Sequence, residues 1–385
     1  MIFINDRFYL FLKSLLLGLL LIGVMVLKGN TERLLTIVST LLIINILSNI
    51  KFRFNHSFII VIGLIIGYIL GNFILYYSFI NNDNNQGFTR KNYNEKITRP
   101  AVIIFSIGEP TTYELPVVLN NIYGDKSIIR KITAPIEVSK YKVAYENIGG
   151  SRNMDLSNRI KDDLETRLGV DYDLYVAYFN TAPLIYEEIE RLGKRYEKII
   201  LVPLMLSESK EYIGMKKAVE ENFLNNDTRI KITPLLWKSQ KLSKQILKQI
   251  IEKTGWDKVD STGIILLMSS RYSFYEQSIF CNDVISKMEK INFDKDNIVC
   301  LKYDNKEKLF LKAVRKLRER SVDSILVISV ARLQDDIIDQ NRISKLVKKA
   351  SKKEYVDIEY INGWGIDENL LNELEYNIRI TNIRN

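Results

Sequence analysis

Three long apolar stretches lie before residue 81, and they limit the fold more than any other feature of the chain. Residues 8–27 are interrupted only by Lys13, and residues 34–50 and 57–80 contain no acidic or basic side chain. About 20 apolar residues, at about 1.5 Å rise each, cover the hydrocarbon core of a bilayer, so each stretch is expected to form a transmembrane helix, the second barely long enough. Helices buried in a soluble domain keep a polar face, which these lack. Val24, Met25, Val26 and Leu27 offer no small-residue cleavage site, so the first stretch reads as a retained helix and not a signal peptide. In the third, Gly63, Gly67 and Gly71 stand four residues apart on one face, a candidate seam for close helix packing.

Three spans make this a multi-pass cell-membrane protein. They place the amino terminus and the Lys51/Arg53 loop on one side, and Lys28, Arg33 and everything after residue 80 on the other. Basic residues near the membrane almost tie between the two sides, so charge bias leaves the orientation open. The net charge of +9 favours an anionic partner or anionic lipid. The lysines are dispersed among glutamates along helical segments, the pattern of solvated faces, and no nucleic-acid partner is expected. Two cysteines, Cys281 and Cys300, are too few for a disulfide framework, and whether they bridge is open. The single histidine, His56, sits at the membrane edge. The rest of the chain therefore has no Ser/His/Asp or Cys/His catalytic set and no Cys/His zinc site.

Residues 81–98 include NNDNNQGFTRKNYNEK, polar and without periodicity, and read as a linker. From residue 99 onward, apolar β-rich runs at 102–105, 174–179, 199–205, 230–235, 264–268, 298–303, 325–330 and 356–361 alternate with segments of helical period. Such alternation predicts an α/β fold, its parallel sheets covered by helices on both faces. Eight strands over about 285 residues exceed one core, so two Rossmann-like lobes with four-stranded sheets are expected, at 99–245 and 246–385. RYEKIILVPLMLSE at 195–208 echoes SVDSILVISVARLQD at 321–335, each a buried strand with a polar exit. The strand end IILLMSSRY at 264–272 places Ser269, Ser270 and Arg271 where an open α/β sheet keeps its ligand crevice. In SIGEP, Gly108 permits a sharp exit and Pro110 stiffens the turn; in IGGS, Gly149 and Gly150 allow close backbone approach.

Several stretches of this part resemble one family, the ferrochelatases, two-lobed α/β proteins that insert iron into a porphyrin. VIIFSIGEPTTYELPVVLNNIYGDKSI at 102–128 is similar to the family's opening strand and Gly-x-Pro turn. APIEVSKYKVAYENIGGSRNM at 134–154 resembles its Tyr-x-x-Ile-Gly-Gly element, the most specific match. YVAYFNTAPLIYEEIERL at 175–192 and INGWGIDENLLNELEYNI at 361–378 resemble its Pro-before-acidic-helix segment and its terminal helix. The resemblance implies a chelatase-like fold, a porphyrin or heme ligand, a cytoplasmic soluble part, and ligand contacts at Gly108, Pro110, Thr111, Ser207, Ser269, Ser270 and Arg271.

The chain also departs from that pattern. The family's catalytic histidine position falls on Arg271, its glutamate position falls on or near Ile338, and its Trp-Leu-Gly-Pro segment is missing. Neither guanidinium nor isoleucine accepts a proton at pH 7. A fixed positive charge about 4 Å from a divalent cation opposes it by roughly 8 kcal/mol at an effective dielectric of about 20. Carboxylates near the crevice, Asp335, Asp336 and Asp339 with Glu208 and Glu276, are the substitutes on offer. Arginine has its own use there, because its planar fork pairs with the carboxylates a tetrapyrrole carries, or with a neighbouring acid of the protein. Three readings stand at this point: a membrane-anchored binder of a tetrapyrrole or other anionic small molecule that does not insert metal; a divergent metallochelatase working through carboxylates; and a platform for a membrane protein partner.

Overall fold

In the computed structural model, residues 6–48, 54–83, 96–124, 127–223, 228–304 and 307–384 are described. Lys51, Arg53 and most of the expected linker lie outside them. The described chain divides into two compact units, one of residues before 91 together with 112–149, the other of the remainder.

The first unit contains three helices, α1 (Asp6–Val26), α2 (Asn30–Ser48) and α3 (Phe54–Asp83). Their segments Arg7–Val26, Asn30–Ser48 and His56–Tyr77 are long and apolar enough to cross a membrane. Large apolar side chains such as Leu41, Phe58 and Ile69 stay exposed along them. The glycines set how closely α1 and α3 approach. A Cβ on Gly63 would come within 2.9 Å of the Phe11 carbonyl oxygen, one on Gly18 within 2.7 Å of the Leu64 carbonyl oxygen, and one on Gly67 would overlap the Leu15 carbonyl oxygen.

Three more helices belong to this unit: α4 (Leu115–Tyr123), α5 (Ile128–Ile132) and α6 (Ala134–Ile148). Placing residues 99–245 in one lobe does not anticipate this grouping, which has a physical cause. Val118, Leu119, Ile122, Ala134 and Val138 cluster with Ile22 and Val26 of α1 and with Leu75 of α3. The last carbonyls of a helix have no partner within it. Here the Tyr113 hydroxyl donates to the Val26 carbonyl at 2.8 Å, and the buried Lys142 ammonium donates to the Val24 carbonyl at 3.0 Å. Lys142 also pairs with Glu32 at 2.5 Å. A cation at this end complements the helix dipole of α1.

The second unit holds the eight expected strands in two parallel sheets of four. The first sheet, ordered β2-β1-β3-β4, comprises β1 (Ala101–Ser106), β2 (Asp173–Tyr178), β3 (Lys198–Pro203) and β4 (Arg229–Ile232). With it go α7 (Asn153–Leu168), α8 (Ile185–Gly193), α9 (Lys210–Phe223) and α10 (Gln240–Thr254). The second sheet, ordered β6-β5-β7-β8, comprises β5 (Thr262–Ser269), β6 (Ile298–Tyr303), β7 (Ser324–Ser329) and β8 (Asp357–Ile361). Its helices are α11 (Phe274–Glu289), α12 (Glu307–Arg318), α13 (Ile337–Glu354) and α14 (Glu368–Ile383), the last packing back against α7, β3 and β4.

Both sheets are covered on both faces, so alternate residues of each central strand enter different cores. Val102 and Ile104 join one cluster, Ala101, Ile103 and Phe105 another. The cluster that takes Val102 also takes Ile264 and Leu266 of β5, so one continuous apolar core joins the two sheets. The stretches that echo each other in sequence become β3 and β7, which hold the same place in identical strand orders.

Candidate functional site

In each sheet the order reverses beside the first strand, between β1 and β3 and between β5 and β7. Loops leaving the carboxyl ends of such strands diverge and open a crevice, the usual ligand position in open α/β sheets. Gly108, Pro110 and Thr111 follow β1, Ser207 follows β3, Ser270 and Arg271 follow β5, and Asp335 and Asp336 follow β7. The two sets of loops are stitched together: Met205 pairs with Arg332 and Ser209 with Tyr272 as antiparallel bridges, and the Ser273 amide donates to the Glu208 carbonyl at 2.8 Å.

At the centre lies a network of charges. Arg271 donates to Asp336 at 2.8 Å and also pairs with Asp339. Arg332, almost fully buried, donates to the same Asp336 oxygen at 2.6 Å and to the Tyr272 hydroxyl at 2.6 Å. Burial alone would raise the Asp336 carboxyl, but Arg271 and Arg332 outweigh it and hold the group far below the usual range. Asp336 also caps α13, accepting from the Asp339 amide at 2.8 Å. Asp335 is buried and accepts from the Ser329 hydroxyl at 2.7 Å and from the Tyr360 hydroxyl. Burial, with the negative charge of Asp339, pushes Asp335 up to about 7.

Glu109, on the turn after β1, reaches the start of α13 and accepts from the Ile337 amide at 3.1 and 3.0 Å. Burial and the Asp336 charge push it up to about 7. The consequence for stability has a definite sign. A carboxyl raised from 4.5 to about 7 binds its proton more tightly in the folded state, so folding gains while it is neutral and loses that gain as pH rises from about 4.5 through about 7. The shift corresponds to about 3 kcal/mol. Glu109→Gln, a neutral isostere, is therefore expected to unfold with a flatter pH dependence between pH 5 and pH 8 and to be the more stable form at about pH 8, as denaturant titrations at several pH values would show. Equal slopes in the two proteins would refute a neutral buried Glu109.

Of the other sequence candidates, Gly108 turns with φ +73° against Tyr178, where a Cβ would clash. Thr111 is exposed, and its carbonyl accepts from the Ser151 amide at 3.2 Å, beside Gly150. Ser207 is fully buried, and its hydroxyl finds no protein partner among the described residues. The Ser269 amide donates to the Gln277 side-chain oxygen at 2.8 Å, and its carbonyl accepts from the Gln277 side-chain amide at 2.9 Å. Ile338 is half-buried in the first turn of α13, next to Asp339. Glu276 accepts from the Glu208 amide at 2.7 Å and so serves the seam between the loops. Among the described residues, no three His, Cys, Asp or Glu side chains converge as a metal-ligand group. Cys281 and Cys300 are free thiols.

Sequence reasoning did not single out Glu109, Tyr272, Arg332 or Tyr360. Arg332 and Asp336 lie on the loop before α13, where spacing along the chain does not show which side chains meet. Glu109 had no local signal either, because its partner Ile337 lies 228 residues away.

The site opens outward past Arg271, whose side chain is 43% exposed. Phe274 and Tyr275 follow it at the start of α11 and are both exposed, and the Lys302 ammonium lies 5.3 Å from the centre of the Phe274 ring. An accessible aromatic surface thus carries one cation, Lys302, and follows Arg271 in the chain by three residues.

Solved structures similar to the chain include chelatases. The sirohydrochlorin chelatase SirB from Bacillus subtilis, solved with Fe3+, aligns with a TM-score of 0.48 at 10% identity over 74% of this chain and 96% of its own. SirB from Bacillus subtilis subspecies spizizenii in complex with cobalt gives 0.47 at 11%, over 74% and 95%. A multi-domain protein from Deinococcus radiodurans, described as structurally similar to chelatases, gives 0.46 at 10% over 72% of this chain, which spans about half, 54%, of that protein. No protein-family model matches the chain, and no curated protein matches it by sequence. The chelatases named here are sirohydrochlorin chelatases, where the sequence resemblance pointed to ferrochelatases.

Proposed function

We propose that the protein is membrane-anchored through α1, α2 and α3 and binds a planar, carboxylate-bearing ligand of the tetrapyrrole class at the Arg271 side of the crevice, without inserting metal. The reading rests on one observation: Asp336 and Asp339 are both held by arginines, Asp336 by Arg271 and Arg332 together. Carboxylates neutralised in this way are poor metal donors, and the arginines beside them repel a cation. A flat apolar ligand with acidic groups at its rim would instead stack on Phe274 and Tyr275 and exchange its carboxylate for one of the acids on Arg271. The ferrochelatase-like sequence elements supply the ligand class.

The test is a spectral titration of the full chain in lipid nanodiscs with a free-base porphyrin, followed by ferrous, cobalt or zinc ions. A shifted Soret band that never converts to the metal complex is the expected result. Arg271→Ala should weaken binding by about 10- to 100-fold, the worth of one charge-assisted hydrogen bond. Conversion to the metal complex would move the assignment to a chelatase, with Glu109 and Asp335, both near pKa 7, as the proton acceptors. No response to any tetrapyrrole would favour the partner platform.

A further inference from the structure

The helices inserted between β1 and α7 leave an apolar surface uncovered. Ile128, Ile129, Ile132 and Ile136 are 72%, 75%, 57% and 44% exposed, on α5 and the first turn of α6. Arg130 and Lys131 lie among them. Exposed apolar groups of this density, mixed with basic side chains, mark a contact surface.

Its position relative to α1 and α3 indicates the occupant. Tyr68 donates to the Ile132 carbonyl at 3.0 Å, and the Asn72 amide donates to the Lys131 and Ile132 carbonyls at 3.0 and 3.1 Å. These bonds tie the end of α5 to one turn of α3. The glycine seam gives the register: Gly63 lies beside Ser14, Gly67 beside Gly18 and Gly71 beside Ile22, and in the same progression Leu75 comes level with Val26, with which it clusters. The apolar segment of α1, Arg7–Val26, spans about 30 Å, so Val26 marks the edge of a hydrocarbon core. Asn72 and Tyr68 lie three and seven residues inside that level, about 5 and 10 Å. Interfacial helices bury their apolar faces to that depth, about 5–10 Å below the headgroup boundary.

We infer that α5 and the start of α6 form a wedge seated in one leaflet, with Ile128, Ile129 and Ile132 among the acyl chains and Arg130 and Lys131 reaching toward anionic headgroups. The occupant is the bilayer itself, because the exposed face continues the apolar surface of α3 to which α5 is bonded. Long basic side chains suit this boundary, their stems in the apolar layer and their charges at its surface. The inference rests on α1, α2 and α3 crossing the membrane, and its test separates the two claims.

Single cysteines at Ile129, Ile69 and Val170, introduced into a full-length Cys281→Ala/Cys300→Ala background, would be spin-labelled in vesicles containing anionic lipid. Collision with oxygen, which concentrates in lipid, would be compared with collision with a water-soluble nickel chelate. Ile69 lies on the exposed face of α3, and Val170 is 86% exposed in the other unit. The expected result is an oxygen-to-nickel ratio at Ile129 several-fold above that at Val170 and on the Ile69 side of the scale. An Ile129 label that collides mainly with nickel while the Ile69 label reads lipid would overturn the wedge and leave the anchor standing. A label at Ile129 shielded from both reagents would reveal a protein partner and also overturn it. A water-exposed Ile69 label would remove the anchor and the wedge together.

Discussion

Arg332→Met is expected to destabilise the chain by about 3–5 kcal/mol, the usual cost of removing one partner from a buried ion pair. Arg332 is 5% exposed and donates to Asp336 and Tyr272, so its loss leaves a buried carboxylate and a buried hydroxyl short of a donor. Arg271 shares Asp336, but its side chain is 43% exposed, and water can replace what it gives. Arg271→Met is therefore expected to cost about 1 kcal/mol or less. Thermal unfolding of the two variants separates them: a Tm drop on the order of 10 °C for Arg332→Met against a few degrees for Arg271→Met. The Arg332→Met deficit should also shrink as pH falls, because Asp336, left with Arg271 alone, takes up a proton more readily than when both arginines hold it. Equal losses would mean that the two arginines are interchangeable and that burial does not rank them.

Gly67→Ala is expected to cost about 1–3 kcal/mol, a large effect for one methyl group. The added Cβ would meet the Leu15 carbonyl oxygen and come within 3.0 Å of the Gly18 Cα, both backbone atoms that cannot swing aside. Separating α1 from α3 also loosens the platform for α4, because Ile22, Val26 and Leu75 pack in the same cluster as Val118 and Ile122. Unfolding of the full chain in mixed micelles, followed by circular dichroism, would measure the loss. Ile69→Ala, on the exposed face of α3, should fall within about 0.5 kcal/mol of the parent. If the two substitutions cost the same, close backbone contact at Gly67 does not hold the pair.

The strands were legible in the sequence because each is a short run of Val, Ile and Leu bounded by polar segments, the signature of a parallel sheet covered on both faces. Residues 298–303 illustrate this: the apolar run and β6 coincide. The apolar helices were legible for a similar reason, since length and lack of charge alone identify them. Residues 112–149 were not. Val118, Leu119 and Ile122 stand at helical spacing, and nothing local reveals that the face covers α1 and α3 and not a sheet. At the site, Arg271 stood out because it ends an apolar run, and both the ligand clamp and the ion pair with a neighbouring acid were open to it. The geometry contains the ion pair, with Asp336 and Asp339 as the partners. Glu109 and Tyr360 could not be found from spacing, since their partners Ile337 and Asp335 meet them only after two sheets have formed.

The insertion between β1 and α7 bears on how the chain can be divided. During synthesis β1 leaves the ribosome before the helices that complete the first unit, so the two units are interleaved in time and neither is finished before the other has begun. A fragment cut at the linker would carry α4, α5 and α6 without α1 and α3, leaving Val118, Leu119, Ile122 and Val138 bare to water and prone to self-association. The natural excision points are Thr111 and Gly150, where the Ser151 amide already bonds the Thr111 carbonyl at 3.2 Å and a Cβ on Gly150 would strike the same oxygen. Joining those two residues and starting after the linker would yield the two-sheet unit freed of the helices of the first unit.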